Sequence, residues 1–224
     1  LLTCNLREDA RQYWFLMDFV VAGEDLGKML VSLFNPLPQR ADYFENRIEN
    51  MLYDSSTGAL SCDYTHMLTE RVYRLPMAFL EDNCPADMLE IGGMTLQEAC
   101  GLPGGQKKAD YFRELGERIR TTPRILNRLK NRMADAVALA LKKVEWNYKT
   151  AIPTYYPKNN SGSLLLPLAL ADEEHVDLAL VVERQPSGSY QGQTILPLDL
   201  AYSNSRLVAR PDSDWLQTDG IVTT

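Results

Sequence analysis

The chain has 224 residues, 45% of them hydrophobic and 24% charged, with a formal net charge of −7. That length supports a substantial core, in one large domain or two small ones, and the composition is that of an ordinary globular protein. No apolar run approaches the roughly 20 residues of a membrane-spanning helix, and an acidic chain is not one that coats nucleic acid over its whole surface.

The first residues, LLTCNLREDARQ, hold neither an initiator Met nor a basic region followed by an apolar stretch. They read as the start of a trimmed, cytoplasmic chain without a signal peptide. "QYWFLMDFVV" (12–21) is predicted to be a buried strand, and "GEDLGKMLVSLF" (23–34), with acids in its first turn, a short helix. The two prolines of "NPLPQRADYF" (35–44) make a stiff connection. "LSCDYTHMLTERVYRLP" alternates at Leu60, Cys62 and Tyr64, which predicts a strand leading into a helix. "GLPGG" (101–105) is the clearest break, a candidate subdomain boundary within one domain spanning 1–224.

Beyond it, "KKADYFRELGERIRT" predicts one helix and "TTPRILNRLKNRMADAVALALKKVEWNYKT" a second. Thr121 or Thr122 is the expected N-cap, and Pro123 stands at the first helical position. Ile125, Leu129, Met133, Ala136, Val137, Ala140 and Val144 recur every three or four residues, one stripe to be packed on a core. The last third changes to apolar runs, "SLLLPLAL", "VDLALVVERQ" and "YQGQTILPLDLAY", punctuated by "ADEEH" and "PSGS". Pro167 and Pro197 each lack a ladder donor and belong at edges or bulges. The expected fold is α+β: a mostly antiparallel sheet, formed by a C-terminal meander, packed against a long amphipathic basic helix.

Charge is segregated along the chain. From Lys107 to Lys149 there are twelve Lys and Arg against five Asp and Glu, leaving eleven basic and twenty-five acidic groups elsewhere. Such asymmetry points to an anionic partner if the charges gather on one surface. On the long helix Arg124, Arg128 and Arg132 form a slanted band opposite the apolar stripe, suited to phosphate; a solvated face is the alternative. After it, Tyr148, Lys149, Tyr155, Tyr156 and Lys158 place rings and cations together, as stacked bases and backbone phosphates require, or as an ordered proline-rich loop requires. Read as a strand leaving the sheet, 196–206 puts Tyr202, Asn204 and Arg206 on one side. Arg206 could then fork onto a phosphate, or, with Arg210, Asp212 and Asp214, form surface ion pairs.

Catalytic signatures are sparse. No phosphate-loop or dinucleotide motif and no nucleophile elbow is present. His66, with Asp63 and Glu70 near it in sequence, is a candidate general base. His175 lies in an acidic turn, and Asp177, Glu183, Asp199, Asp212 and Asp214 permit magnesium-dependent phosphoryl chemistry without fixing any geometry. Cys4, Cys62, Cys84 and Cys100 show no C-x-x-C spacing, so free thiols are expected rather than a metal centre, and no cofactor is implied.

Several phrases occur together and in order: "LFNPLPQRADYFENRIENMLYDSSTGALSCDYTHML", "NYKTAIPTYYP", "LLLPLAL", "DLALVVER" and "ILPLDLAYSNSRLVARPDSDWL". Across roughly residues 30–80 and 145–216 the chain thereby resembles a mainly bacterial family, described only as a domain of unknown function. Members of that family occur with LOTUS-type (OST-HTH) and cold-shock RNA-binding domains. The resemblance implies a role near RNA and supplies no catalytic residues.

The leading expectation is an RNA- or nucleotide-associated domain. Arg124, Arg128 and Arg132 would collect phosphate beside a pocket of Lys149, Tyr155, Tyr202, Asn204, Arg206 and Arg210. The alternatives are an enzyme acting on RNA or a nucleotide, and a protein-interaction module using the basic helix. The partners so implied are RNA or a nucleotide, no membrane, and a second copy of the chain or an additional RNA-binding domain.

Overall fold

The computed structural model describes residues 2–4, 14–16, 21, 23–35, 51–58, 60–156, 161–206, 208 and 215–216. They belong to two compact units, Leu1–Asp42 and Tyr43–Thr224. In the first, strands β1 (Leu2–Cys4) and β2 (Trp14–Leu16) pair antiparallel, with Leu2 opposite Leu16 and Cys4 opposite Trp14. Helix α1 (Asp25–Leu33) follows, with Asp25 in its first turn, where a carboxylate complements the helix dipole. Strand and helix lie inside the segments whose patterns predict them.

The second unit begins with a short strand, β3 (Ser61–Cys62), and helix α2 (Tyr64–Thr69). Asp63 caps α2 by accepting from the His66 backbone N–H at 3.0 Å. A 3-10 turn at Val72–Arg74 leads to α3 (Met77–Asn83), α4 (Ala86–Leu89) and α5 (Leu96–Gly101). Two longer helices follow, α6 (Gln106–Thr121) and α7 (Pro123–Trp146). The "GLPGG" segment is the connection between α5 and α6, inside the second unit. α7 has Thr122 at its N-cap and Pro123 at its first position, and it buries all seven residues of the predicted stripe. Among the described residues no helix is long and apolar enough to cross a membrane.

Strands β4 (Ile152–Tyr156), β5 (Ser161–Leu168), β6 (Leu178–Arg184) and β7 (Tyr190–Pro197) complete a five-stranded sheet of order β3-β7-β6-β5-β4. Only the β3–β7 pair is parallel. The fold is thus α+β with a mostly antiparallel sheet. The apolar runs arise because this sheet is covered on both faces. Leu164, Leu166, Leu168, Leu178, Leu180 and Val182 join the large core formed with α2, α3, α6 and α7. The alternate residues Leu165 and Ala179 join Ile152, Ala201 and Leu216 in a smaller core on the opposite face. The prolines fall where donors are dispensable. β4 begins at Ile152 opposite Leu165, so Pro167 lies beyond its reach, and Pro197 ends β7.

The expected strand at 196–206 is not one. After Pro197 the chain turns into helix α8 (Leu198–Ser205), which packs on the smaller core through Ala201. Proline's fixed φ and missing N–H stop the ladder and are tolerated at the entrance to a helix. At 100° per residue Tyr202 and Asn204 therefore point to different sides, while Tyr202 and Arg206 share one.

A capping box starts α5: Glu98 N–H donates to Thr95 Oγ1 at 3.3 Å, and Thr95 N–H donates to Glu98 Oε2 at 2.8 Å. The Thr95 backbone N–H and the Thr95 hydroxyl, which donates to the same Glu98 Oε2 at 3.0 Å, hold the Glu98 carboxyl below its ordinary range. A carboxyl whose pKa is lowered on folding stabilises the fold above its unfolded value and loses that contribution as pH falls through the lowered one. Thr95→Ala is expected to cost about 1 kcal/mol near neutral pH, read by urea denaturation. The difference from wild type should shrink on acidification.

Candidate functional site

On the sheet face opposite the long helices lies a cavity of about 270 Å³. Its floor is the polar end of the sheet: Thr154 of β4, Ser163 of β5, Val181 and Glu183 of β6, and Gln193, Thr194 and Leu196 of β7. The same parity that sends Leu180 and Val182 into the large core sends Val181 and Glu183 here. A register shift in the β6–β7 ladder, between Val181 opposite Thr194 and Val182 opposite Gly192, leaves Gln193 as an extra residue. The resulting bulge turns consecutive side chains, Gln193 and Thr194, toward the same cavity.

The walls come from helical segments at either side. Asn204 of α8 lines one side, and His66, Arg71 and Arg74 enter from α2 and the turn that follows it. Arg74 is fixed at the sheet edge: its Nη1 donates to Ile195 O at 2.7 Å and to Thr194 Oγ1 at 3.2 Å, and its guanidinium carbon lies 5.3 Å from the centroid of the Tyr73 ring. The donors on its other two nitrogens are not needed for these bonds. His66 Nδ1 is 2.9 Å from Glu70 Oε2, which orients the ring and leaves Nε2 as the nitrogen open to a ligand. Ser163 Oγ donates to Glu183 Oε1 at 3.3 Å and orients that carboxylate.

Among the described residues two groups stand out by lacking partners: Arg71 Nε and Thr154 Oγ1 are buried with no hydrogen bond, and Thr154 is only 4% exposed. A buried polar atom left unpaired costs about 1–3 kcal/mol, so folded proteins rarely keep one without a use for it. Both belong to the same cavity. Two arginines, Arg71 and Arg74, lining one cavity with the hydroxyl-bearing residues Thr154, Ser163 and Thr194 make it a candidate anion site.

The sequence-derived candidates divide. Tyr155, Asn204 and His66 line this cavity. Tyr202 and Arg206 pair with each other instead, with Arg206 Nη1 donating to the Tyr202 hydroxyl at 3.1 Å. Lys149 is exposed on the 3-10 turn Tyr148–Thr150, near the bare Trp146 and Tyr148 rings. Arg210, Asp212, Asp214 and Lys158 lie outside the described residues.

The arginine band of α7 is elsewhere and partly occupied. Arg128 Nη1 donates to Asn83 O at 3.2 Å, at the end of α3, and Arg132 Nη2 to Leu170 O at 3.5 Å. On α6, Arg118 serves the carbonyls of Asp87, Met88 and Glu90 around the end of α4, with 2.9 Å to Glu90 O. Arg128 and Arg118 thereby satisfy carbonyls that short helices leave orphaned at their C-termini, while Arg132 serves one just past β5. Others meet carboxylates: Arg113 with Asp110 at 2.6 Å, and Arg120 with Glu70 and Glu117 at 3.5 Å each. Arg118, Arg124 and Arg128 do share a groove of about 660 Å³ with Asp87 and Cys84. The basic segment therefore splits into helix caps, ion pairs and this groove, and none of its residues lines the sheet cavity.

The remaining acids have structural duties. Asp177 accepts from Leu170 N at 2.7 Å and Ala171 N at 2.9 Å, and Asp172 accepts from Glu174 N and His175 N, closing the turn before β6. Among the described residues no group of three or more His, Cys, Asp or Glu is gathered to hold a metal ion, and Cys62, Cys84 and Cys100 are free thiols. Sequence reasoning missed Arg71, Arg74, Thr154, Ser163, Gln193 and Thr194. The one local signal was "ERVYR", with two arginines three apart directly after the helix that carries His66.

No curated protein and no solved structure matches the chain. One family model does, the Domain of unknown function (DUF3825), over residues 2–215. With nearly its whole length matched, the chain belongs to the DUF3825 family.

Proposed function

We propose that this chain binds a phosphate-bearing ligand, a nucleotide or a single nucleotide unit of RNA, in the cavity on the sheet face opposite the long helices. One observation carries the reading: Arg71 and Arg74 line one cavity together with the hydroxyl-bearing residues Thr154, Ser163 and Thr194. Phosphate oxygens satisfy guanidinium and hydroxyl donors together, and planar guanidinium groups match them two at a time. A volume of about 270 Å³ suits one nucleotide unit rather than a folded polymer. Asn204, Gln193 and Tyr155 add the amides and the aromatic face that base and sugar recognition uses.

The surroundings favour a chain running through this site. Trp146 is 86% exposed and Tyr148 60% exposed, and Lys142 and Lys149 are exposed beside them. Bare rings among cations are the parts with which single-stranded nucleic acid is held. They precede β4, the strand that delivers Thr154 and Tyr155 to the cavity.

A single-stranded RNA oligonucleotide titrated over a salt series tests the proposal. Two phosphate contacts, at Arg71 and Arg74, predict a log–log slope of about −1.4, since each contact on a single strand contributes roughly −0.7. Affinity absent at low salt, or indifferent to salt, contradicts it.

A further inference from the structure

We propose that the same cavity cleaves RNA by transesterification, with Glu183 and His66 as its acid–base pair and the two arginines neutralising the transition state. This rests on the binding reading above and goes beyond it to a reaction.

The starting observation is a carboxylate in an anion site. A cavity built only to hold phosphate gains nothing from Glu183, which repels the ligand that Arg71 and Arg74 attract. Glu183 is nevertheless set into the floor on β6, beside both strands that supply the polar rung, with Ser163 Oγ holding Oε1 at 3.3 Å. A carboxylate beside a phosphodiester can accept a proton from an attacking hydroxyl. His66 enters from α2, on a different element, with Nδ1 fixed by Glu70 at 2.9 Å. Nε2 is then the nitrogen that exchanges a proton with the substrate.

A base and an acid on separate elements, lining one cavity with two arginines, suit an in-line displacement at phosphorus. RNA brings its own nucleophile to such a site. Glu183 takes the proton of the 2′-hydroxyl, the 2′-oxygen forms a bond to phosphorus, and the bond from phosphorus to the 5′-oxygen breaks. His66 in its protonated form hands its proton to that departing oxygen. The products are a 2′,3′-cyclic phosphate and a 5′-hydroxyl end, and solvent returns Glu183 and His66 to their starting forms. Arg71 and Arg74 offset the charge that builds on the non-bridging oxygens. Two guanidinium groups supply that positive charge directly and oppose a divalent cation in the same space.

Incubating the full chain with a single-stranded RNA oligonucleotide in the presence of EDTA tests the inference, with an all-deoxy oligonucleotide of the same sequence as the uncleavable ligand. RNA should be cut to fragments ending in 2′,3′-cyclic phosphate and 5′-hydroxyl, and DNA should be bound but intact. Glu183→Gln and His66→Asn should each slow cleavage by about 10²- to 10⁴-fold while still binding the deoxy strand, Glu183→Gln at least as tightly as wild type, which also reports that they fold. Bound RNA that stays whole overturns the reaction and leaves the binding reading standing. So does cleavage that requires an added metal ion and leaves 5′-phosphate ends. Neither strand binding overturns both.

Discussion

Replacing Arg71 with methionine should weaken binding of an RNA oligonucleotide by about 10- to 100-fold while leaving the melting temperature equal to wild type or above it. The two effects come from one side chain. Among the described residues Arg71 Nε is buried without a hydrogen-bond partner, a cost that methionine removes, while the same substitution takes a guanidinium out of the cavity lining. Methionine fills similar space with no donor to satisfy. A structural arginine behaves in the opposite way, since its loss strands the carbonyls it serves. Arg118→Met, which removes contacts to Asp87, Met88 and Glu90 carbonyls, should lower the melting temperature and leave binding nearly unchanged. Arg71→Lys should not restore affinity, because an ammonium has no donor at the Nε position. Calorimetric titration and scanning calorimetry on the three variants read both quantities. Wild-type affinity in the Arg71→Met protein contradicts the assignment.

Gly116→Ala should be among the most damaging single changes in the chain, a loss of about 2–3 kcal/mol. Alanine in a helix interior ordinarily gains about 1 kcal/mol over glycine. Gly116 is the reverse case, because α2 lies directly on α6 at this point. A Cβ built there would stand 2.2 Å from the Thr69 carbonyl oxygen and 3.1 Å from its carbon. These are backbone atoms and cannot rotate aside. The helices must separate, and α2 carries His66 and leads into Arg71. For a chain of this length the melting temperature should fall by about 4–12 °C, and RNA affinity should fall with it. Alanine at exposed Gly104, where nothing lies within 4 Å of an added Cβ, is the control. Equal stability of the two variants contradicts the close contact.

How much of this was legible beforehand follows from the range of the signals. Periodicity is local, and it located α6, α7 and the meander together with every buried residue of the α7 stripe. Pro197 misled because a proline can end a strand or begin a helix, and only the core offered by Ile152, Leu165 and Ala179 decides between them. Charge counts misled in another way. Arg128 and Arg132 look free along the sequence, yet their partners, Asn83 O and Leu170 O, are backbone atoms that composition does not reveal. The cavity was the least legible part. Arg71, Thr154, Ser163, Glu183 and Asn204 come from five elements, and Gln193 reaches it only through a bulge. Tyr155, Asn204 and His66 could be singled out one by one, but nothing local joins them.

The central claim is that the anion site lies at Arg71 and Thr154 rather than along the basic helix. A crystal structure of the chain soaked with a mononucleotide decides it. The account predicts the phosphate in the sheet cavity, within hydrogen-bond distance of the Arg71 and Arg74 guanidinium groups. A nucleotide phosphate seated between Arg124 and Arg128, with the sheet cavity vacant, would contradict it.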